Sequence, residues 1–479
     1  MATRVLADRV NWLAVVDDIL PWDPARARIA PSIVLLMLVM NVLTQHNPLY
    51  QVEYWAESLP LPILWGDTIT AHQFNDDALG RVLEDLADHG RALLATLGPR
   101  MRAVQDAGPL MLHTDTTAFA LFGDYPNQDN GPTASVELTW GHTKDHRPDL
   151  RQRMAGMTVD AAGCVLGGSL LSGNTSDRAW HPEWLDQLDR DYPEDFWKGS
   201  YYIADSALMA EPALTKISAL GMHWLGRLPA TFSLCDQLKD HAWTREDAWI
   251  EIGVLAAKRR VTAATASDQL VRTAKIQWHD ITPTMTEQVV LRRPRGRQKT
   301  GGEPTRITQY TVQWHWTAPT ADRIQQARER QSTFILTTSD QTGDAATALR
   351  AYKAQDQDEH GFRWMKSPIH LTAFFLEKPE RVVGLGYVLL LALQFARFMR
   401  AAVRQAMVDQ PPLALPDGRK ISNPSERVIL DALRTLWVER REVGDVEWYQ
   451  WTHVKPHVWR ILEMLRVPIE HRFQWDESG

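Results

Sequence analysis

An α/β fold is predicted, with helical regions at both ends and a β-rich insertion in the middle. Three observations predict it. Up to about residue 100, apolar residues recur at helical spacing, as in Val10–Leu20 and Leu83–Leu97, without strand alternation. From Leu110 to Leu171 the chain breaks into short β-prone runs divided by Asn, Gly, Pro and Asp. From about Thr231 to Gln331 the pattern is β-rich and irregular, and beyond it helical periodicity returns. A length of 479 residues predicts about three domains at about 150 residues each. The divisions expected are 1–105, helical; 106–230, a first core segment; 231–331, the insertion; 332–405, a second core segment; and 406–479, helical.

Leu110–Leu121, Ser135–Trp140 and Met154–Val159 read as strands, Asp160-Ala-Ala-Gly163 as a turn, and Cys164–Leu171 as the returning strand of a β-meander. A helix is expected over Pro182–Asp191, then the strand Tyr201-Tyr-Ile-Ala204, ending on Asp205. Ala207–Leu220 reads as a helix closed by Gly221, a good C-cap residue. Inside the insertion, Trp249–Leu255, Thr273–Trp278, Glu287–Arg292 and Ile307–Trp316 are strand-like. Strand signals return at Ser332–Thr338, followed by one long helix from about Asp344 to Lys366 and a helical remainder broken at Gln410–Asp417.

Composition narrows the function. Two cysteines, Cys164 and Cys235, exclude a disulfide framework and a cysteine-rich zinc site and fit a reducing compartment. Arg4, Asp8 and Arg9 place charge at the N-terminus with no apolar run, so no signal peptide is expected. Ile33–Val42 and Val382–Ala396 fall short of the roughly 20 apolar residues of a membrane span and are expected as buried helices, with no membrane partner. A net charge of -7 speaks against nucleic acid, but DNA binding needs only a local basic face. The 20 tryptophans exceed what the core needs; buried packing accounts for most, and stacking surfaces are the other use.

Three carboxylates stand out by position. Asp115 lies in the strand Leu112-His-Thr-Asp-Thr-Thr, Asp205 ends a strand, and Glu359 sits inside the expected long helix. Singly, each has an ordinary reading: a strand-end Asp is usually a turn or cap residue, and a helix Glu is usually solvated. Together, two strand carboxylates and one helix carboxylate suit a pair of magnesium ions. Hard oxygen donors suit Mg²⁺, and ions about 3.5–4 Å apart clamp the attacking and leaving oxygens of a phosphoryl transfer.

The same helix carries Tyr352, Gln355, Glu359 and Lys366, and offsets of 3, 4 and 7 residues would put all four on one helical face. Here the sequence resembles the insertion-sequence DDE transposases with the Tyr-Arg-Glu-Lys signature, Gln355 replacing the Arg. Trp140-Gly-His-Thr-Lys-Asp-His-Arg-Pro-Asp-Leu-Arg-Gln152 is similar to the G-[YH]-S-K-D-H-R-P-D-L-K-Q segment of one branch. Leu171-Ser-Gly-Asn-Thr-Ser-Asp177 and Asn75-Asp-Asp-Ala-Leu-Gly-Arg-Val-Leu-Glu84 resemble the same branch's G-N-T-S-D and N-D-D-x-L-G-R-x-L-D stretches. The matches run from about residue 70 to 400.

That resemblance implies an RNase H-like core, a mixed sheet with flanking helices, in which Asp115, Asp205 and Glu359 hold two Mg²⁺ ions (Mn²⁺ substituting). It implies Tyr352, Gln355 and Lys366 on the DNA-end phosphates, with Gln355 lacking the charge and bidentate fork of an Arg. It also implies a bacterial cytoplasmic, nucleoid-associated enzyme. Its partners would be terminal inverted repeats, gripped by the N-terminal domain, and target DNA, with a homodimer pairing two ends. Rival expectations are a nuclease without strand transfer and an inactive or domesticated relative that only binds DNA.

Further candidates remain open between two readings. Lys144, His146 and Arg147 suit phosphate contact, and the segment reads as well as a turn held by Pro148 and Asp149. Arg292, Arg293, Arg295 and Arg297, with Lys299, form a basic loop that suits a DNA backbone or a solvated hairpin tip. Trp314, Trp316 and Phe334 suit stacking on an unpaired base, with core packing the commoner role. His113 is expected to pack or cap rather than ligate.

Overall fold

The structure is a computed structural model. It describes the chain apart from residues 24–27, 45–46, 105–109, 122–135, 142–148, 245–279, 293–304, 318–319, 367–377, 444–445, 453, 469–472 and 475–479. Two compact units result: Met1–Arg227 with Leu336–Gly479, and Leu228–Ile335.

The first unit is built on a six-stranded sheet. Its strands are β1 (Met111–Leu121), β2 (Arg151–Asp160), β3 (Val165–Ser172), β4 (Tyr201–Ala204), β5 (His223–Arg227) and β8 (Leu336–Thr338), in the order β3-β2-β1-β4-β5-β8. β1, β2 and β3 form the expected antiparallel meander. Its turn is closed by Asp160, whose Oδ1 accepts from Ala162 N at 3.0 Å and Cys164 N at 2.8 Å, with Gly163 at φ +83°. β4 runs parallel to both β1 and β5, and β8 closes the sheet antiparallel to β5. This is a mixed, open sheet with helices around it, interrupted by a β-rich insertion and flanked by helical terminal regions: the expected α/β, RNase H-like architecture.

Parallel strands need a helical crossover, and α7 (Asp177–Asp191) and α8 (Glu211–Ala219) supply them. The chain leaves α8 through Gly221 at φ +68°, with Gly221 N bonded to Ser218 O and Met222 N to Ile217 O, the C-cap geometry its sequence announced. α7 begins at Asp177, five residues before the expected Pro182, because Ser176 caps it on Ala179 N. Trp180 and Trp184 stack at 5.4 Å beneath β2, and Trp184 Nε1 donates to Thr158 Oγ1 at 2.7 Å. Both are buried, as is Trp12, so these tryptophans pack the core.

The N-terminal helices are α1 (Ala2–Arg9), α2 (Trp12–Ile19), α3 (Pro31–Leu43), α4 (Val52–Glu57), α5 (Leu61–Trp65) and α6 (Asp76–Ala103). α6 packs along α13 (Pro379–Ala406), and both touch β3. Close approach depends on glycine: a Cβ at Gly384 would overlap the Leu83 carbonyl, and one at Gly90 the Tyr387 ring. α13 is long and apolar enough to cross a membrane, yet 94% of its apolar window is buried inside the protein, as expected. α3 is likewise buried on nearly all sides.

The C-terminal region carries α14 (Glu426–Leu433) and α15 (Pro456–Met464). It also holds a short pair, β9 (Leu413–Ala414) with β10 (Lys420–Ile421), and a sheet of β11 (Trp437–Val443), β12 (Val446–Thr452) and β13 (Phe473–Gln474) that was not anticipated.

The second unit contains the hairpin β6 (Asp280–Arg292) and β7 (Thr305–Thr317), in register from Asp280↔Thr317 to Arg292↔Thr305. Two helices, α9 (Ser233–Thr244) and α10 (Ala321–Ser332), were not anticipated. They are tied by Arg330, which donates to Asp240 at 2.8 and 2.6 Å, and by Trp243 Nε1 to Thr333 Oγ1 at 2.9 Å. The expected strands Trp249–Leu255 and Thr273–Trp278 lie outside the described residues, and of Ser135–Trp140 only an isolated Thr139–Gln152 bridge is seen.

Candidate active site at the strand ends

Strand alternation sorts the residues of β1 onto two faces. Thr114 and Thr116 point towards α7: Thr114 Oγ1 meets Thr158 Oγ1 at 2.9 Å, and Thr116 Oγ1 donates to Asp177. Asp115 therefore points to the opposite face. Its Oδ1 accepts from Thr116 N at 2.8 Å, and the side chain is half-buried.

The parallel register pairs His113 with Ile203. β4 ends at Ala204, so Asp115, in the interior of β1, and Asp205, just past the end of β4, each lie two residues beyond that pair. Asp205 is exposed, and its Oδ1 accepts from Ala207 N at 2.8 Å to cap the 3₁₀ turn Ser206–Leu208. The last β4–β5 pair is Ala204↔Gly226, which Asp205 and Arg227 directly follow. The row across three neighbouring strands is thus Asp115 within β1, Asp205 just past β4 and Arg227 at the end of β5.

The expected single helix over this row is two helices, α11 (Ala345–Lys353) and α12 (Asp356–Met365). Ala354 and Gln355 keep right-handed helical dihedrals, but Gln355 N bonds to Tyr352 O at 3.3 Å, an i→i−3 contact that tightens the turn and ends the regular ladder. Tyr352, Gln355, Glu359 and Lys366 consequently do not share one uninterrupted helical face. Tyr352 is in the last turn of α11, Gln355 is the N-cap of α12, Glu359 is exposed on α12, and Lys366 is its C-cap.

The break lets the two helices cover different strands. α11 packs on β4 and β5, and α12 packs on β1 and β2. Tyr352 is half-buried; burial raises its phenol pKa, Arg227 opposes the shift, and Asp205 adds to it, so both strand-end charges act on the ring. α12 is seated through Gly361, where a Cβ would fall 2.9 Å from Met157 Cε, and Met157 is the cross-strand partner of Asp115. Lys366 Nζ stands 6.0 Å from the Phe119 ring centroid, further along β1.

Asp115, Asp205 and Glu359 fit a hard divalent ion in donor chemistry and in the elements that carry them. As placed they are not gathered: among the described residues no group of three or more His, Cys, Asp or Glu side chains is close enough to hold a metal ion.

Of the other candidates, Lys144, His146, Arg147, Arg293, Arg295 and Arg297 lie outside the described residues. Arg292 is the last residue of β6, Trp314 and Trp316 lie in β7, and Phe334 is half-buried. His113 is fully buried, and burial lowers its pKa to about 4, in keeping with a packing role. Sequence reasoning missed Arg227 and Asp177. The first was legible as the charged last residue of a β-prone run after Gly221. The second stood out only as part of a motif.

The site thus consists of one carboxylate inside β1, a second just past β4 and a third on the helix packed over β1 and β2 of an open mixed sheet. The sequence family described as "Transposase DDE domain" matches residues 131–395, more than half of the chain. The chain therefore belongs to the DDE transposase family. Residues 4–97 match a domain of unknown function (DUF4277). No curated protein matches the chain. Among solved structures it is similar to a piggyBac transposase synaptic complex with hairpin DNA, at 9% identity and a TM-score of 0.37, over 90% of this chain and 76% of that one. At that score the likeness says nothing about function.

Proposed function

We propose that this protein is an insertion-sequence transposase of the Tyr-Arg-Glu-Lys group, in the branch with the Lys-Asp-His-Arg-Pro-Asp-Leu run. It binds terminal inverted repeats, cuts at the element ends and transfers the 3′-OH to target DNA. One observation supports the reading: β1, which carries Asp115, runs beside β4, which Asp205 directly follows, and the Glu359 helix is seated on Met157, the cross-strand partner of Asp115.

Asp115, Asp205 and Glu359 would hold two Mg²⁺ ions, which when bound supply an activated water and offset the charge of the transferring phosphate. The chain's own residues do the rest. Tyr352 and Lys366 orient the DNA end, and Arg227 supplies beside Tyr352 a positive charge that Gln355 does not carry. Lys144, His146 and Arg147 are assigned to phosphate contact on the strength of their sequence motif alone. The N-terminal domain grips the repeats, and two protomers bring two ends together. The three carboxylates have to come together for the site to form, a step this reading assigns to binding of the DNA end.

The test is an incubation of the protein, Mg²⁺, a duplex ending in the element's own repeat and a supercoiled target plasmid. Joined products support a transposase. Nicking with no joining leaves a nuclease, and binding with neither leaves an inactive relative.

A further inference from the structure

The Gly173-Asn-Thr-Ser-Asp177 segment has no task in the chemistry above, yet its last residue reaches the strand that carries Asp115. We propose that Asp177 is a positioning residue for the Asp115 carboxylate, acting through Thr116; this rests on the active-site assignment above.

The segment is fixed at both ends. Gly173 is wedged where a Cβ would overlap the Gln152 carbonyl, and Gln152 Nε2 donates to Gly173 O at 2.6 Å. At the other end Ser176 caps α7, and Trp180 and Trp184 lock that helix beneath Gly156 and Gly167. Asp177, the first residue of α7, is therefore a carboxylate on a rigid mount. Its Oδ1 accepts from Thr116 Oγ1, and Thr116 N in turn donates to Asp115 Oδ1 at 2.8 Å.

The position of this tether matters. β1 is paired with strands on both edges only as far as His113↔Ile203; from Asp115 onward β4 has ended and β2 is its strand partner. A strand with one free edge holds its side chains less firmly. The Thr116–Asp177 bond restrains β1 one residue beyond Asp115, where the second ladder is lost. Thr116 lies on the α7 face and Asp115 on the other, so Asp177 acts on the carboxylate through the backbone and not as a further ligand.

A hydrogen-bond acceptor and a metal ligand respond differently to substitution. Asp177→Asn keeps an acceptor for Thr116, Asp177→Ala removes it, and Thr116→Val and Thr116→Ser remove and keep the donor. Nicking of an end duplex is titrated with Mg²⁺, and end binding is measured separately by gel shift in EDTA. Asp177→Ala and Thr116→Val should each slow nicking on the order of ten- to a hundred-fold and raise the Mg²⁺ needed, with end binding unchanged. Asp177→Asn and Thr116→Ser should stay within about three-fold of the parent. The double variant should be no worse than either single, because both break one bond. The proposal is overturned if Thr116→Val titrates like the parent, or if Asp177→Asn is as impaired as Asp177→Ala. Should Asp177→Ala fail to fold, as read by circular dichroism, the Thr116→Val and Thr116→Ser pair decides alone. Asp115→Asn is the control: normal nicking by that variant sinks the active-site assignment itself, a different failure.

Discussion

Asp115 and Asp205, 90 residues apart in the chain, each lie two residues beyond His113↔Ile203, the last pair of the β1–β4 ladder. The relationship binds the two residues to a common fate. Asp115→Asn, Asp205→Asn and Glu359→Gln should each abolish nicking of an end-bearing duplex while leaving its gel shift largely intact, since each removes one oxygen ligand's charge and no DNA contact. Normal nicking by any one of the three removes that residue from the site.

Charge along the helices above this row should read out as salt dependence. Lys366→Ala and Arg227→Ala are each expected to weaken end binding and to flatten the plot of log K against log salt by up to about one phosphate contact. Gln355→Arg is expected to be tolerated and to steepen the slope, because it adds a cation at the N-cap of α12. An unchanged slope for Lys366→Ala would take that end of α12 off the DNA.

The meander, the strand ending on Asp205 and the C-cap at Gly221 were legible because alternation, turn residues and glycine act locally. The break at Ala354–Gln355 was not, since both residues keep helical dihedrals and nothing in the helical spacing marks a tightened turn. α10 was missed because Ala321–Ser332 is almost wholly polar and shows no apolar period, although Thr320 caps it on Arg323 N. In β11 and β12, Glu and Arg interrupt the β-prone residues. That β1, carrying Asp115, runs beside the strand before Asp205 could not be read from spacing, because register is a property of the sheet; the family resemblance supplied the residues, and the structure supplies the strand order.

Packing of α6 on α13 offers a stability test. Gly384→Ala forces a Cβ into the Leu83 carbonyl of a neighbouring helix, and backbone cannot step aside, so a loss of at least about 3 kcal/mol is expected. Gly199→Ala is the contrast: at φ +74° with open space around it, only the left-handed conformation is penalised, at about 1 kcal/mol. Urea unfolding of both variants gives the ranking, and an equal loss would mean the helices separate to make room.

Stability should also fall in mild acid. Burial lowers the His181 pKa to about 4 against an ordinary 6.5, with Asp205 and Asp177 opposing. Because the folded value lies below the unfolded one, the unfolded chain takes up a proton first as pH drops below about 6.5. Stability is therefore lost between pH 6.5 and 4 and levels off below. His181→Gln, which keeps a partner for the Tyr202 hydroxyl bonded at 2.9 Å, should shallow that slope by up to about 1.4 kcal/mol per pH unit. Identical urea midpoint shifts between pH 7 and 4.5 for parent and variant would place the acid sensitivity elsewhere; His113, lowered to the same value, is the next candidate.

The hairpin of the second unit bears on the steps after the first cut. β6 and β7 are each 13 residues long and stay in register to Arg292↔Thr305; Arg293, Arg295 and Arg297 follow Arg292 in the sequence and lie outside the described residues. A two-stranded ribbon is marginal on its own, and the basic run that follows β6 in the sequence is the part expected to act on DNA. The described part of the insertion holds none of the three proposed metal ligands, so the first nick should not depend on it. Once a strand is cut, however, the end has to be bent or unstacked, and that needs cations on the backbone and aromatic surfaces such as Trp314 and Trp316 on unpaired bases. Neutralising Arg292, Arg293, Arg295 and Arg297 together should spare nicking of short end substrates and impair release or joining. A time course resolving nicked, released and joined DNA checks it. Parental progress through all three stages would reduce the hairpin to a spacer, and loss of the first nick would place its cations in initial end binding instead.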